Sequence, residues 1–507
     1  MRRLEDFADA DLRVFARPPL PAPDAIRSVY LIGICGKGMG ALAELLAQAG
    51  YAVRGSDEAA FPPMSTRLAA AGIPVIEGYD AANLDGPDGQ PPDLVVVGNA
   101  CTPTHPEAAA ARERGLVHAS LPEALAHLFL GEREPAVIAG THGKTTTTGL
   151  LVHVLTEAGR APGFLVGGVP VGEPRTAARG SGPVFAIEGD EYDAAYFDKR
   201  PKMLLYRPHR AVITSLEFDH ADIYADWDEY QRAFHAFAAL PPPHGLLVLN
   251  GEDAAVRQLA ERTWARVRLY GEEGEEPPGT TFDIAARDLR AVEGGQTFTL
   301  VVAGEPVADV RLPMGGRYNA LNALSVAAVA LDAGVSAADV AGALGTFRGM
   351  KRRQEVVVDG RVLVVDDFAH HPTAVEATVR GVRERWPGRR VVAVFEPRSN
   401  SSRRAAFQAP YADALATADA VFLSTPPLRH NDDPAHFVDA EAVAESVRGS
   451  GTPAAAYGSA DALLPDLLAD LRDGDPGSSP GQVLALVMSN GSFDGLVRKL
   501  ADALADA

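Results

Sequence analysis

The sequence predicts an α/β protein of several domains with parallel sheets, and three observations carry that expectation. An apolar β-rich run, a turn of small residues and a helix-like segment follow one another at three separate places in the chain. That order builds parallel strands covered by helices. The 507 residues exceed what one core organises, which implies about two to four domains. Charge, Gly and Pro also cluster between the units, at Gly131-Glu-Arg-Glu-Pro135 and from Gly345 to Arg353, as expected of connections.

The first unit opens with a strand at Ser28-Val-Tyr-Leu-Ile-Gly-Ile34, turns through Cys35-Gly-Lys-Gly-Met-Gly40 and continues as a helix over Ala41 to Ala49, with further strands near Val53 and at Asp93 to Gly98. In the second, the strand Pro135 to Ala139 feeds Gly140-Thr-His-Gly-Lys-Thr145 and a helix reaching about Ala158. The third runs from the strand Arg361 to Asp366 through Asp367-Phe-Ala-His-His-Pro372 into a helix over Thr373 to Trp386, followed by a strand at Val391 to Phe395. Gly271 to Thr280 and Asp473 to Gly481 read as surface loops. Residues 1–27 read as a poorly ordered extension.

Composition excludes several classes. No apolar run approaches the roughly 18 residues that a spanning helix needs, and the N-terminus lacks the apolar centre of a signal peptide. The two cysteines, Cys35 and Cys101, give no disulfide framework. A soluble, cytoplasmic protein is the expectation. A net charge of -20 disfavours sequence-independent nucleic-acid binding, which needs clustered Lys and Arg, but leaves room for small anions at local sites.

The second turn carries the clearest chemistry. Gly140, Thr141, His142, Gly143, Lys144, Thr145 and Thr146 lie between strand and helix, where backbone N–H groups, a lysine and a helix N-terminus can hold triphosphate oxygens and Thr145 can ligate Mg2+. The general P-loop pattern asks for glycine at Ile138, so the fit is to a shorter form. Glu188 should emerge at a strand's C-terminal end, and His220 stands in a similar run at Val212 to His220. With Thr145 they make a candidate magnesium set, because a hard cation on phosphates takes few protein ligands. The neighbouring Asp190, Glu191 and Asp193 read almost equally well as a charge-rich loop. The first turn, Gly36-x-Gly38-x-x-Ala41 with Asp57 19 residues beyond Gly38, fits a dinucleotide fingerprint. By itself it suits a dehydrogenase as well as a nucleotide-sugar site; the second phosphate loop weighs against the dehydrogenase.

Taken in order, these motifs resemble the Mur ligase family over about Ser28 to Leu500, together with Gly316-Arg-Tyr-Asn-Ala-Leu-Asn322, Arg352-Arg-Gln-Glu355, Asp366 to Pro372 and Met488-Ser-Asn-Gly491. The resemblance implies a three-domain α/β architecture: a Rossmann-like UDP-sugar domain (28–132), a central P-loop ATPase domain (133–347) and a Rossmann-like peptide-binding domain (348–507). It implies Gly36, Gly38, Ser56, Asp57 and Asn99 for the UDP-sugar; Asn319 and Asn322 for adenine; Arg353 for the ATP phosphates; Asp367 for nucleotide and domain closure; and Arg398, Ser399 and Asn400 for peptide carboxylates. Lys144, Glu188, His220 and Arg353 become the catalytic candidates.

Tyr196-Phe-Asp-Lys-Arg200, Leu216 to Ile223, Glu396-Pro-Arg-Ser-Asn400 and Phe61-Pro-Pro-Met-Ser65 resemble the branch that attaches a whole peptide rather than the branch that adds alanine. The implied reaction is ATP- and Mg2+-dependent joining of UDP-N-acetylmuramate to L-alanyl-γ-D-glutamyl-meso-diaminopimelate through an acyl phosphate. The alternatives are alanine addition to the same nucleotide, or a nucleotide-sugar-sensing ATPase. Tyr318 departs from the family's usual histidine, and Arg232-Ala-Phe-His235 lacks the lysine that many members carbamylate.

Overall fold

Three sheets organise the residues that the computed structural model describes, namely 3–173, 175–220, 223–427, 434–473 and 482–505. In the first, five parallel strands lie in the order Val75–Glu77, Ala52–Asp57, Ser28–Ile32, Leu94–Val97, His118–Ser120. Val29 to Ile32 are all buried, as expected of a central parallel strand covered on both faces. The chain winds away from Ser28–Ile32 in both directions, so the turn after it opens at a topological switch point.

The central sheet has ten strands. Arg266–Glu272, Leu246–Asn250, Arg210–Ile213, Glu134–Ala139, Val184–Glu188 and Gly163–Leu165 form its parallel middle. Ile284–Val292, Gly295–Val302 and Glu305–Leu312 extend one edge as an antiparallel meander. The helices Lys144–Glu157 and Arg317–Asp332 pack together over this sheet, burying Leu150, Leu151 and Val154 with Ala323, Ala327 and Ala330. In the third sheet Val362–Asp367, Val483–Ser489, Arg390–Glu396, Ala420–Ser424 and Ala454–Tyr457 are parallel, and Glu355–Val358 adds an antiparallel edge. The expected loop at Asp473 to Gly481 lies almost wholly outside the described residues.

Residues before Ser28 pack against the fold, contrary to the expected loose extension. Phe15 stacks on His118 and Tyr196 at 5.6 and 6.4 Å between ring centres, and Arg17 donates to both oxygens of Glu123 at 2.9 Å. The partners of Phe15 include Phe197, at the tip of the hairpin Asp193–Ala195/Asp198–Pro201. That hairpin buries Tyr196 and Phe197 among Tyr30, Val95 and Val97 of the first sheet. Each large apolar side chain so covered contributes roughly 1.5–3 kcal/mol. The Tyr196–Arg200 motif is therefore a buttress between the first two sheets.

The segment joining the central and third sheets is tightly wound. Arg352 and Gln354 adopt φ of 59° and 48°, a left-handed region where non-glycine residues are uncommon. Asp367 holds this segment: its Oδ2 accepts from Gln354 N at 2.8 Å and its Oδ1 from Ala369 N at 2.7 Å.

Candidate active site

Gly140 and Gly143 adopt φ of 130° and 84°, and Gly143 caps the helix Lys144–Glu157. Only glycine suits Gly143 on both counts, since a Cβ there would stand 2.7 Å from Asn322 Oδ1. The loop is anchored from the next strand's end: His142 N donates to Ser215 Oγ at 2.9 Å, Thr214 Oγ1 to His142 O at 2.5 Å, and Thr141 Oγ1 to Glu217 O at 3.0 Å. Thr146 is buried under the loop.

Lys144 folds back to Gly140 O at 2.6 Å and to the Glu191 carboxylate at 2.9 Å. Burial opposes its charge, but Glu191 and Asp190 hold its pKa above the ordinary value. Glu191 is fully buried and also takes His220 Nε2 at 2.8 Å. Burial likewise opposes charge on His220, yet the Glu191 contact raises its pKa. Glu191 is thus the hub of the site, a role that sequence reasoning weighed almost equally with a charge-rich loop. Its neighbours have lysines of their own: Asp190, which also lines the cavity, pairs with Lys202 at 2.6 Å, and Asp193 pairs with Lys199. Burial would raise Asp190, but Lys202 brings it down to about 2.

Thr145 Oγ1 donates to Glu188 Oε2 at 3.0 Å, and Gly167 N to Glu188 Oε1 at 2.6 Å. Glu188 has no direct cationic partner among the described residues, and burial raises its pKa above the usual carboxylate range. A hydroxyl beside a buried carboxylate on a phosphate loop fits Mg2+, a hard cation satisfied by oxygen. The expected set of Thr145, Glu188 and His220 divides in the structure: the first two are in contact, whereas His220 is seated on Glu191.

Lys144, Thr145, Glu191 and His220 line a cavity of about 530 Å³, with Glu188 set behind Thr145. Its walls include Tyr318, Asn319 and Asn322 from the helix Arg317–Asp332, Arg353 from the linking segment, and Asp367, Phe368, His370, Ser399 and Asn490 from the third sheet's loops. Asn319 Nδ2 donates to Gly315 O at 2.7 Å and Asn322 Nδ2 to Asn319 Oδ1 at 3.3 Å. Tyr318 Oη accepts from Gln354 Nε2 at 2.5 Å, coupling the helix to the linking segment. The Arg353 guanidinium lies 4.4 Å over the Phe368 ring. Asn490 Oδ1, on the wall, is buried without a hydrogen-bond partner among the described residues; its Ser-Asn-Gly motif was the sequence signal for it.

The remaining expectations fare unevenly. Gly36 and Gly38 are exposed at the first turn, as is Asn99 beyond the strand Leu94–Val97. Asp57 Oδ2 accepts from Cys35 N at 2.8 Å, so this acid braces the turn itself. Ser56 is fully buried rather than open at the turn, and its hydroxyl donates to Glu107 Oε2 at 2.5 Å. Burying Glu107 requires such donors, and Tyr30 and Asn83 supply others. Ser399 lines the cavity, its hydroxyl 2.8 Å from Ser402 Oγ, while Arg398 is paired to Glu396 at 3.1 Å and is not on the cavity wall. Asn400 O accepts from Arg404 Nε at 3.3 Å.

A phosphate loop, a buried Glu–Lys–His hub and a second α/β domain closing the same cavity define an ATP-dependent ligase of three-domain build. Three family models match in register with the three sheets: "Mur ligase family, catalytic domain" over residues 28–133, "Mur ligase middle domain" over 138–330 and "Mur ligase, glutamate ligase domain" over 352–476. The chain is 38% identical to the UDP-N-acetylmuramate–L-alanyl-γ-D-glutamyl-meso-2,6-diaminoheptanedioate ligase of Escherichia coli, across 94% of this chain and 98% of that one. It is 34% identical to a UDP-N-acetylmuramate–L-alanine ligase of Chlorobaculum parvum, across 95% and 97%. A crystal structure of a murein peptide ligase from Psychrobacter arcticus superposes with a TM-score of 0.68 at 32% identity, covering 95% of this chain and 99% of that one. The chain belongs to the Mur ligase family.

Proposed function

We propose that this chain joins UDP-N-acetylmuramate to L-alanyl-γ-D-glutamyl-meso-diaminopimelate at the expense of ATP, returning cell-wall tripeptide to peptidoglycan synthesis. The observation that carries the reading is the single cavity with the phosphate loop on one wall and Phe368, His370, Ser399 and Asn490 on the other. An acyl phosphate must form on one side and meet an amine on the other without water between.

A carboxylate condenses with an amine only after activation. The muramyl lactyl carboxylate attacks the γ-phosphorus of ATP, ADP leaves, and the tripeptide amine then attacks the acyl carbon and expels phosphate. Lys144 and Arg353 neutralise charge spread over the transferring oxygens, which is catalysis by position and electrostatics. Thr145 and Glu188 would hold Mg2+, which when bound would supply further countercharge to the phosphates. Glu191 keeps Lys144 charged and orients His220. Asn319 and Asn322 face adenine. The exposed Gly36 and Gly38 receive the UDP-sugar, and Ser399, with Arg398 and Asn400 behind it, receives the peptide. Asp367 ties the linking segment to the third sheet, so domain approach completes the site. No helix among the described residues is long and apolar enough to cross a membrane, and substrates of this kind place the enzyme in the cytoplasm.

Alanine addition is the second reading, favoured by the 34% identity to an alanine ligase over nearly the whole chain. Acceptor choice separates the two. With ATP, Mg2+ and UDP-N-acetylmuramate, tripeptide should drive ADP release and yield the muramyl-tripeptide mass; turnover with L-alanine alone would reverse the assignment. ADP release without any amide product would mark an ATPase.

A further inference from the structure

The phosphate-loop histidine, His142, has no role in the scheme above, yet its side chain meets a carboxylate and an imidazole from elsewhere in the molecule. His142 Nε2 lies 3.0 Å from Glu217 Oε2, and His371 Nδ1 lies 3.5 Å from the same oxygen. The two rings are 5.1 Å apart between centres, and one potential ligand atom from each of the three residues falls within 4.8 Å of the others. His371 Nδ1 is buried and makes no hydrogen bond among the described residues. A hydrogen-bonded Glu–His pair would need only one of these imidazoles; the second nitrogen, aimed at the same oxygen, is unexplained by it.

The spacing suits a cation. A tetrahedral Zn2+ with bonds of about 2.0–2.1 Å holds its ligand atoms roughly 3.3 Å apart; the two gaps to Glu217 Oε2 lie on either side of that value, and all three ligand atoms fall within 4.8 Å of one another. Two imidazoles and one carboxylate are the donors that borderline cations select, whereas Mg2+ prefers oxygen alone. His142 and Glu217 also line the cavity, so an ion held by them would sit at its wall, within reach of a substrate oxygen or a water. The three residues come from separate places: the phosphate loop, the segment after Arg210–Ile213, and the residue capping the helix Pro372–Arg385 beside the third sheet.

We propose that His142, Glu217 and His371 form a zinc-class divalent-cation site, distinct from the Thr145–Glu188 pair suited to Mg2+, that links the central and C-terminal domains across the ATP cavity. Because its ligands belong to both domains, a bound ion favours the arrangement in which they meet, by simple mass action. The site does not depend on which acceptor the enzyme uses.

The test is Co2+ binding to the full-length chain in excess Mg2+, followed by the visible absorption of low-coordinate Co2+, with Zn2+ as competitor. One Co2+ per chain is expected, displaced by Zn2+ and not by Mg2+. His142→Gln and His371→Gln should each weaken binding by more than the roughly 10–100-fold that loss of a mere outer-shell partner costs, with unchanged far-ultraviolet circular dichroism. His370→Gln, one position away, should retain it, which separates loss of a ligand from local misfolding. Binding that survives in both His142→Gln and His371→Gln, or that is abolished by Glu188→Gln instead, would overturn the proposal. So would the absence of saturable binding.

Discussion

The strands Ser28–Ile32 and Glu134–Ala139 each feed a glycine turn and then a helix, yet different chemistry holds the two turns. At the first, an acid from the neighbouring strand, Asp57, accepts the turn's own Cys35 N–H, and Gly36 caps the helix with an ordinary φ of -61°. At the second, the loop is pinned by Thr214 and Ser215, and the capping glycine Gly143 itself adopts a positive φ, which at the first turn falls on Gly33 at its start. The carboxylates there serve side chains instead, Glu191 taking Lys144 and Glu188 taking Thr145. The first acid braces its own turn; the acids at the second hold the side chains of Lys144 and Thr145. Two similar sequence signatures thus acquire different surroundings from the acids around them.

The largest expected effect breaks the second turn alone. Lys144→Ala should lower ligation by about 10³-fold or more, the scale of losing a group that stabilises a transferring phosphoryl. UDP-N-acetylmuramate affinity, measured by calorimetry, should stay nearly unchanged. Substantial ligation by this variant would remove the charged loop from the reaction.

A matched glycine pair sharpens the contrast. Gly143→Ala meets Asn322 Oδ1 at 2.7 Å and carries a positive φ, so it should cost about 1–3 kcal/mol of stability and raise the KM for ATP. Gly36→Ala has an ordinary φ, and its nearest neighbour is Gly33 O at 3.3 Å. It should fold normally and show any defect in the KM for the nucleotide-sugar. Equal thermal destabilisation of the two variants would erase the distinction.

The third turn, after Val362–Asp367, extends the comparison to pH. Burial raises the Asp366 pKa to about 6 against Arg352, with Asp367 and Glu355 pushing the same way as burial. The folded state therefore binds the extra proton, and stability falls as pH rises from about 4 to about 6. Asp366→Asn removes that fall, so its melting temperature should gain on the unmodified protein between pH 4 and pH 7, by the equivalent of about 1–3 kcal/mol. A gain independent of pH would mean that Asp366 does not titrate in this window.

The repeated strand–turn–helix units were readable because small residues interrupt long apolar runs, and the helices Lys144–Glu157 and Pro372–Arg385 start within a few residues of where the pattern places them. Glu188 was also legible, since the strand Val184–Glu188 ends on it. What sequence could not separate were acids of like kind. Asp190, Glu191 and Asp193 stand in one run, yet only Glu191 is drawn beneath Lys144 and His220, a contact between residues 47 and 29 positions apart. The burial of Ser56 was hidden for a related reason: its partner Glu107 lies on a distant helix, and nothing local marks that carboxylate as buried. The meander Ile284–Leu312 was harder to read because polar and charged residues interrupt it: past Ala286 its first strand is not buried, and its third buries only Val310 and Leu312.

Transfer of the γ-phosphoryl group to a substrate carboxylate within the shared cavity is the centre of this account, and oxygen labelling tests it most directly. UDP-N-acetylmuramate carrying ¹⁸O in its lactyl carboxylate would be turned over with ATP, Mg2+ and tripeptide, and the released phosphate analysed by mass. One labelled oxygen in each phosphate formed from doubly labelled carboxylate is the predicted result, because the C–O bond broken on amide formation leaves that oxygen on phosphorus. Amide product accompanied by unlabelled phosphate would contradict it.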